Sequence, residues 1–324
     1  MPKAIQIQQF GDPSVMQFVN VEVPPPGQGQ VTIRHKSCGL NFIDVYYRTG
    51  LYPQPLPAGL GMEAAGVVEA VGPGVTHLKE GDRVAYAARP PGAYSEVRNM
   101  GADDVVRLPD SISFDTAAAI MLQGLTVQYL FRRTFPLKGG ETILFHAAAG
   151  GVGLFACQWA RALGVTMIGT VGSDEKAEIA KAHGCTHVIN YNTENIVERV
   201  REITHGQGVP VVYDSVGKDT FTASLDCLAP LGMMVSFGNA SGPVPPFSLS
   251  ELASRGSLFI TRPTLFSYAR TRPELEAMAA ELFEMVESGK IVPNITRRYA
   301  LADVVQAHRD LEARKTTGTV LLIP

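Results

Sequence analysis

The residues with the clearest chemical meaning are three small ones at a fixed spacing, Ala148, Gly150 and Gly153. They follow the apolar run 142–147, and a helical pattern leaves them and continues to Leu163. A strand, a tight turn of small residues and a helix are the fingerprint of a dinucleotide site. The small residues let the backbone approach a pyrophosphate, and the N–H groups at the helix start meet its negative charge. The other interpretation is a tight turn that binds nothing.

The residues after the next predicted strand indicate which dinucleotide is bound. An enzyme that uses NAD usually has an acid there, on the ribose 2′-hydroxyl. Here Gly172 and Ser173 leave room and supply a hydroxyl, and Lys176 can add a positive charge beside a 2′-phosphate. Asp174 could instead bind a 2′-hydroxyl or cap the helix, and Lys176 could be a solvated lysine. Tyr191 could cover the same phosphate or close the edge of the sheet. We predict NADPH rather than NADH as the cofactor.

The segment after the fingerprint alternates strands with helices, which is typical of a doubly wound parallel sheet. The predicted elements are a strand at 165–171, a helix at 174–183, a strand at 187–190, a helix at 192–204, and strands at 209–214, 233–238 and 257–261. Strands in the usual order of this fold would place a cofactor across the carboxyl ends of the first and fourth. The predicted fold class is therefore α/β.

The N-terminal third has a different pattern. Short apolar runs at 31–33, 65–68 and 82–85 lie between turns rich in Gly and Pro, which indicates an all-β, barrel-like unit. Two helical patterns and a final apolar strand follow residue 265, at 273–288, 301–314 and 319–323. We expect this last strand to pair with the barrel, which makes the barrel domain discontinuous. The predicted domains are 1–123 together with 265–324, and 124–264.

Composition excludes several other classes of protein. The 324 residues have a net charge of -3, and no basic run points to a nucleic-acid partner. No apolar stretch approaches the roughly 18 residues of a membrane span, and the first residues lack the apolar core of a secretory signal. The four cysteines form no C-x-x-C pair and fit a reducing compartment, where each behaves as a small buried hydrophobe. We expect a cytoplasmic protein with no nucleic-acid or membrane partner.

Five segments spread over the whole chain carry a resemblance to a known family. The chain resembles the zeta-crystallin-like quinone oxidoreductases, the metal-free branch of the medium-chain dehydrogenase/reductase superfamily. The matching segments are 39–44, 61–66, 140–153, 213–217 and 236–239. The resemblance implies a GroES-like barrel beside a Rossmann domain, NADPH as cofactor, a homodimer, and hydride transfer to a quinone or reactive carbonyl in the cleft between the domains.

Two positions separate this chain from the zinc-dependent branch of the superfamily. Those enzymes have a Cys two residues after the glycine that is Gly39 here, and a His between the residues that are Gly61 and Glu63 here. The chain has Asn41 and Met62 at these positions. An amide and a lone thioether do not replace thiolate and imidazole as zinc ligands, and the seven histidines show no paired spacing. We predict that the protein has no metal.

The resemblance also implies which residues form the site. The residues expected in the catalytic cleft are Asn41, Asp44, Tyr46 and Tyr52. Those expected at the cofactor are Asn41, Thr126, Tyr129, Ala149, Gly150, Gly151, Val152, Gly172, Ser173, Lys176, Tyr191, Ser215, Phe237, Gly238, Asn239 and Arg314, the last in a C-terminal helix. Asn41 could donate its amide hydrogen to the acceptor oxygen, and Asp44 could order a water or a ribose hydroxyl. Alternatively, Asn41 is a turn residue, Asp44 caps a helix, and the two tyrosines are packing residues.

The absence of predicted metal ligands limits the choice of acceptor. Without a Lewis acid, the acceptor must already be electrophilic, as a quinone or an α,β-unsaturated carbonyl compound is. The main hypothesis is an NADPH-dependent quinone reductase. One alternative is an NADPH-dependent alkenal or enone double-bond reductase. Another is an NADPH-binding, crystallin-like structural protein that catalyses nothing.

Overall fold

Sixteen strands and ten α-helices run through the computed structural model, which describes all 324 residues. The strands are β1 (Lys3–Ile7), β2 (Met16–Asn20), β3 (Gln30–Leu40), β4 (Ala58–Gly59), β5 (Glu63–Val71), β6 (Arg83–Ala87), β7 (Val97–Gly101), β8 (Val106–Arg107), β9 (Thr142–Phe145), β10 (Thr166–Val171), β11 (His187–Asn190), β12 (Val209–Asp214), β13 (Leu228–Ser236), β14 (Phe259–Thr261), β15 (Ile295–Ala300) and β16 (Thr319–Ile323). The helices are α1 (Phe42–Thr49), α2 (Phe114–Tyr129), α3 (Gly151–Leu163), α4 (Asp174–Ala182), α5 (Ile196–Ile203), α6 (Phe221–Asp226), α7 (Ser250–Ser254), α8 (Leu265–Tyr268), α9 (Arg272–Glu287) and α10 (Val304–Glu312).

The chain divides into two units. The first unit comprises Met1–Leu125, Ala269–Ser288 and Pro293–Pro324, and the second comprises Thr126–Tyr268 and Gly289–Val292. The divisions therefore lie two and four residues beyond the predicted boundaries at 123 and 264, and one short C-terminal segment joins the second unit.

The first unit is built mainly from antiparallel strands. Its larger sheet has the order β15-β16-β3-β5-β6-β8, with β7 also paired to β3, and a smaller sheet has the order β2-β1-β4. The final strand β16 pairs antiparallel with β3, as the sequence predicts for the C-terminal apolar run. The apolar runs of the N-terminal third lie in β3, β5 and β6, and their buried members include Val31, Ile33, Val68 and Val84.

The second unit is a six-stranded parallel sheet with the order β11-β10-β9-β12-β13-β14. This is the order of the doubly wound dinucleotide-binding fold, so the predicted fold class is confirmed. Its apolar core is formed by fully buried strand residues such as Leu144, Ile168 and Val212, against which α5 and α6 contribute Val200 and Leu225. Because these strands are covered on both faces, their sequences are nearly continuous apolar runs.

The predicted elements agree with the structure in type and differ at some ends. Strands predicted at 187–190, 209–214 and 319–323 have the same bounds as β11, β12 and β16. The helix predicted at 192–204 begins later, at Ile196, because the side chain of Asn195 caps it by accepting from two backbone N–H groups.

The last predicted helix ends earlier than its pattern suggested. A 3-10 turn, Leu301–Asp303, precedes α10, and the helix ends at Glu312. Arg314, which the sequence analysis placed within this helix, lies beyond its end with a left-handed φ of 58°. The apolar spacing could not show this end, because the last residues are exposed and no glycine marks the stop.

Two further findings concern composition. All four cysteines are free thiols and are buried, as predicted. No helix of the chain combines the length and apolar character needed to cross a membrane.

Candidate active site

The predicted cofactor residues of the second unit lie at one edge of its sheet. Because all six strands are parallel, their carboxyl ends meet at the same edge. The turns that follow β9, β10, β11, β12 and β13 contain most of the predicted residues, namely Ala149, Gly150, Gly151, Val152, Gly172, Ser173, Tyr191, Ser215, Phe237, Gly238 and Asn239. Residues separated by up to 90 positions in the sequence are thus brought to one row of turns.

The start of α3 is suited to a pyrophosphate. Its N-cap is Gly150, and no side chain caps the helix, so its first-turn N–H groups have no intrahelical partner and are directed outward. Ala147 reaches the turn with a positive φ of 57°, and a Cβ at Gly153 would overlap the carbonyl oxygens of Ala147 and Ala148. The tight turn therefore requires glycine at 153, and the residues present fit the phosphates of a dinucleotide.

The turn after β10 is arranged differently from the start of α3. Ser173 caps α4, and its Oγ accepts a hydrogen bond from the Lys176 N–H at 3.2 Å, which leaves the hydroxyl proton available to a ligand. A Cβ at Gly172 would lie 2.5 Å from the Tyr191 hydroxyl oxygen, so the glycine permits the tyrosine to approach. Asp174 does not cap the helix, because its Oδ1 accepts from the Asn190 side chain at 2.7 Å.

The ends of β12 and β13 approach each other closely. A Cβ at Gly238 would overlap the carbonyl oxygen of Ser215, which shows that only glycine fits between these two turns. The Phe237 ring lies 5.6 Å from the ring of Phe145, at the end of β9. Asn239 is oriented by its neighbours, since its amide can donate to the Gly238 carbonyl and accept from Arg262.

Thr126 and Tyr129 belong to the last turns of α2 in the second unit. The Tyr129 ring stacks on that of Tyr268 with the centroids 4.7 Å apart and an interplanar angle of 11°. The Tyr129 side chain is buried, while Thr126 is partly exposed.

In the first unit, Asn41 occupies the start of α1. Its backbone N–H donates to Asp44 Oδ2 at 2.9 Å, a contact that fixes the first turn of the helix. Its side chain has two partners: Nδ2 donates to Glu63 Oε1 at 2.6 Å, and Oδ1 accepts from Gln123 Nε2 at 3.0 Å. Both polar ends of the Asn41 side chain are therefore held by buried protein groups.

Asp44 is fully buried beside Asn41. Its Oδ2 accepts from the Tyr94 hydroxyl at 2.7 Å, while Oδ1 has no hydrogen-bond partner. Burial raises the pKa of Asp44 to about 7, against the opposing effect of the hydrogen bonds from Tyr94 and Asn41. This carboxyl can therefore hold or release a proton near neutral pH.

Further buried polar groups lie beyond Tyr94, the partner of Asp44. His308 lies 3.4 Å from the Tyr94 hydroxyl through Nε2, and its Nδ1 faces Arg48 Nη1 at 2.9 Å. Burial, helped by the Arg48 charge, lowers the pKa of His308 to about 3, so the imidazole is neutral. Arg48 is itself neutralised by a two-point ion pair with Glu312.

Glu63 is the other buried acid near Asn41. Its Oε2 accepts from the Leu122 backbone N–H at 2.6 Å, so each carboxyl oxygen has one donor. Burial raises the pKa of Glu63 to about 8, although both hydrogen bonds oppose the rise.

An aromatic pair is formed by Tyr46, on α1, and Tyr52, in the loop after that helix. Their ring centroids are 5.3 Å apart in an edge-on arrangement, and the Tyr52 N–H donates to the Tyr46 carbonyl at 3.0 Å. Arg314 is exposed and lies beyond the end of α10.

Asn41 and Met62 stand where the zinc-dependent branch has two of its zinc ligands. No group of three or more His, Cys, Asp or Glu side chains lies close enough to hold a metal ion. Met62 is fully buried, and the three buried histidines, at 35, 146 and 308, each make hydrogen bonds within the protein.

The sequence analysis missed the partners of Asn41 and Asp44. The sequence pattern did not indicate Glu63, Gln123, Tyr94 or His308 as site residues, although Glu63 lies in the matching segment 61–66. The one available signal was an acid within the small and apolar run of β5, where an unpaired charge would be costly.

Two family models match the chain. One described as "Alcohol dehydrogenase GroES-like domain" covers residues 27–110, and one described as "Zinc-binding dehydrogenase" covers residues 151–284.

Individual relatives match over the full length. A quinone oxidoreductase of Pseudomonas aeruginosa is 58% identical over 325 residues, with all of both chains covered. The crystal structure of an Escherichia coli quinone oxidoreductase complexed with NADPH is 52% identical with a TM-score of 0.98, covering 99% of this chain and 100% of the other. A mycobacterial structure complexed with NADPH is 46% identical with a TM-score of 0.96, with the same coverage.

Proposed function

Because the chain belongs to the quinone oxidoreductases of the medium-chain dehydrogenase/reductase superfamily, we propose that it reduces quinones with NADPH. The protein is an oxidoreductase, and its cofactor is NADPH. The observation that carries the proposal is the uncapped start of α3 at the carboxyl edge of a parallel sheet, which fits a dinucleotide pyrophosphate.

We propose that the second unit holds the cofactor through its row of turns. The N–H groups of Gly151 and Val152 would meet the pyrophosphate, and Ser173 with Lys176 would meet the 2′-phosphate. The Ser173 hydroxyl proton and the lysine charge support this role, as does the hydrogen bond that Asn190 donates to the Asp174 carboxylate. The rest of the cofactor site would be lined by Tyr191, Ser215, Gly238 and Asn239, with Phe237, Thr126 and Tyr129 beside them. Arg314 is proposed at the cofactor only from the resemblance.

NADPH, when bound, supplies a hydride from C4 of its nicotinamide. Reduction of a quinone to a hydroquinone takes that hydride and one proton. We propose that Asn41 donates its second Nδ2 hydrogen, which Glu63 does not use, to the acceptor oxygen as negative charge develops there. We propose that the Asp44 carboxyl holds a proton near neutral pH, and that its Oδ1, which has no hydrogen-bond partner in the protein, orders a water or a ribose hydroxyl. Tyr46 and Tyr52 position the acceptor ring.

The side chains at the two positions where the zinc-dependent branch has ligands, Asn41 and Met62, support chemistry that needs no metal. The side-chain amide of Asn41 is hydrogen-bonded to protein groups through both its nitrogen and its oxygen, and the thioether of Met62 is buried. A pre-activated acceptor such as a quinone suits a site that polarises its substrate by hydrogen bonds alone.

The decay of NADPH absorbance with a panel of quinones, enones and simple aldehydes tests the proposal. We expect turnover with quinones and none with simple aldehydes. Turnover with enones alone would favour the double-bond reductase. Tight NADPH binding without turnover of any acceptor would favour a structural role.

We also propose a homodimer in the cytoplasm. Strand β14 pairs only with β13, so its other edge is open, and its Phe259 is 56% exposed. Two such edges placed side by side would satisfy their backbone groups and cover the ring. Light scattering at micromolar concentration should give the mass of a dimer, and a monomer would contradict this proposal. The buried free thiols support a reducing compartment.

A further inference from the structure

The side-chain amide of Asn41 is held from both sides by buried polar side chains. The chain of hydrogen bonds starts at the Thr319 hydroxyl, which donates to Gln123 Oε1 at 2.9 Å. Gln123 Nε2 donates to Asn41 Oδ1, and Asn41 Nδ2 donates to Glu63 Oε1. We call these four residues (Asn41, Glu63, Gln123 and Thr319) the amide clamp. Its three hydrogen bonds all run in the same sense, from the Thr319 donor to the Glu63 acceptor.

One end of the amide clamp cannot reverse while Glu63 is ionised. Glu63 Oε2 accepts from the backbone N–H of Leu122, and a backbone amide only donates. An ionised Glu63 therefore accepts at both oxygens and imposes a donor on its neighbour. If the Asn41 amide turned over, its oxygen would face the carboxylate and its NH2 would face that of Gln123, so both contacts would become repulsive.

The fold is shaped around this contact. Gly39 on β3 lies opposite Glu63 on β5, and a Cβ at Gly39 would overlap the Glu63 carboxyl group. The three other members of the amide clamp are buried, with exposed fractions of 0%, 5% and 1% for Glu63, Gln123 and Thr319. Asn41, at 8%, is the most exposed member.

We propose that Glu63 and Gln123 are positioning residues, which fix the direction of the Asn41 amide so that it presents an N–H, and not its carbonyl oxygen, to the quinone oxygen. The inference rests on the proposed function of Asn41 as a hydrogen-bond donor. It adds two residues that touch neither substrate nor cofactor and act through Asn41.

The exchanged variant Glu63→Gln/Gln123→Glu tests the direction without removing any hydrogen bond. Gln at 63 would accept from Leu122 and donate to Asn41 Oδ1, while Glu at 123 would accept from both Asn41 Nδ2 and Thr319. The same atoms stay paired and the net charge is unchanged, but the Asn41 amide is reversed. Glu69→Gln, at an exposed position of the same strand, is the matched control.

We expect the exchanged variant to keep the melting temperature and the NADPH Kd of the wild type while its kcat falls roughly 10-fold or more, as for the loss of one transition-state hydrogen bond. Asn41→Ala should lose a similar factor, and Glu69→Gln should lose none. The assay is made above the pKa of Glu63, where the carboxylate is ionised. If Glu63 and Gln123 only stabilised the fold, the exchanged variant, with its melting temperature unchanged, would keep the kcat of the wild type.

The single variant Glu63→Gln gives a second readout if the exchanged variant does not fold. Of the titratable groups near Glu63, burial raises the pKa of Cys38 and Tyr94 far above neutrality, and Asp44 is common to both proteins. The ratio of wild-type to Glu63→Gln kcat should therefore rise with pH as Glu63 ionises.

The possible failures are distinguishable. A wild-type protein that oxidises no NADPH would refute the proposed function. Unchanged kinetics in Asn41→Ala would remove the donor role and the amide clamp's role with it. A slowed Asn41→Ala together with wild-type kcat in the exchanged variant, or a pH-independent kcat ratio in Glu63→Gln, would overturn the positioning role alone.

Discussion

Replacement of Glu63 by glutamine should change how the stability of the protein depends on pH. The Glu63 carboxyl is fully buried, and its pKa rises from the ordinary value of 4.5 to about 8 because burial penalises the charged form. A pKa that is higher in the folded state means that folding favours the protonated form. This contribution to stability is fully present below the unfolded pKa and is lost as pH rises through the folded pKa.

The size of the effect follows from the two pKa values. At about 1.4 kcal/mol per pKa unit, the full difference corresponds to about 5 kcal/mol. Between about pH 5 and about pH 8, linkage assigns most of this loss, several kcal/mol, to the wild type. Glutamine has the shape of the protonated acid and does not titrate, so Glu63→Gln should escape the loss.

The assay is urea unfolding of both proteins across this pH range. The free energy of unfolding of Glu63→Gln should exceed that of the wild type by an amount that grows by several kcal/mol from the acidic to the basic end. Asp44 contributes its own pH dependence to both proteins, and Asp44→Asn measured in parallel shows how far the two acids interact. A difference that stays constant over this range would refute the buried, high-pKa assignment of Glu63.

Three other predictions concern the cofactor and metals. Lys176→Ala should weaken kcat/KM for NADPH selectively, and equal losses with NADH, or no loss, would refute its place at the 2′-phosphate. Gly153→Ala should weaken NADPH binding and cost about 1–3 kcal/mol of stability, because the added Cβ overlaps two carbonyl oxygens. A binding titration and a melting curve would detect the two effects, and wild-type values in both would contradict the tight turn. A strong chelator should leave quinone reduction unchanged, and loss of activity restored only by zinc would overturn the interpretation of Asn41 and Met62.

The parallel-sheet unit could be predicted because its information is local. Each strand is an apolar run, and the turn at Gly150 and Gly153 is a motif of a few residues with one physical purpose. Errors arose where a single side chain decided an end, as when Asn195 delayed the start of α5, or where exposed residues gave no signal, as at Arg314.

The surroundings of Asn41 could not be predicted because they depend on long-range contacts. Asn41 links Glu63 to Gln123 and Thr319 in one chain of hydrogen bonds, whose successive partners are 22, 82 and 196 residues apart in sequence. No local period indicates that these strands and helices bring their polar groups together. The resemblance selected Asn41 and Asp44, and the structure supplied the partners that determine what their atoms can donate or accept.

The most direct test of the central claim is the stoichiometry of the reaction under anaerobic conditions, with chelator-treated protein, NADPH and a quinone. Hydride transfer followed by protonation predicts one hydroquinone formed for each NADPH oxidised, at a rate proportional to the amount of protein. Bound NADPH that is not oxidised by any quinone, or NADPH oxidation without hydroquinone, would contradict the account.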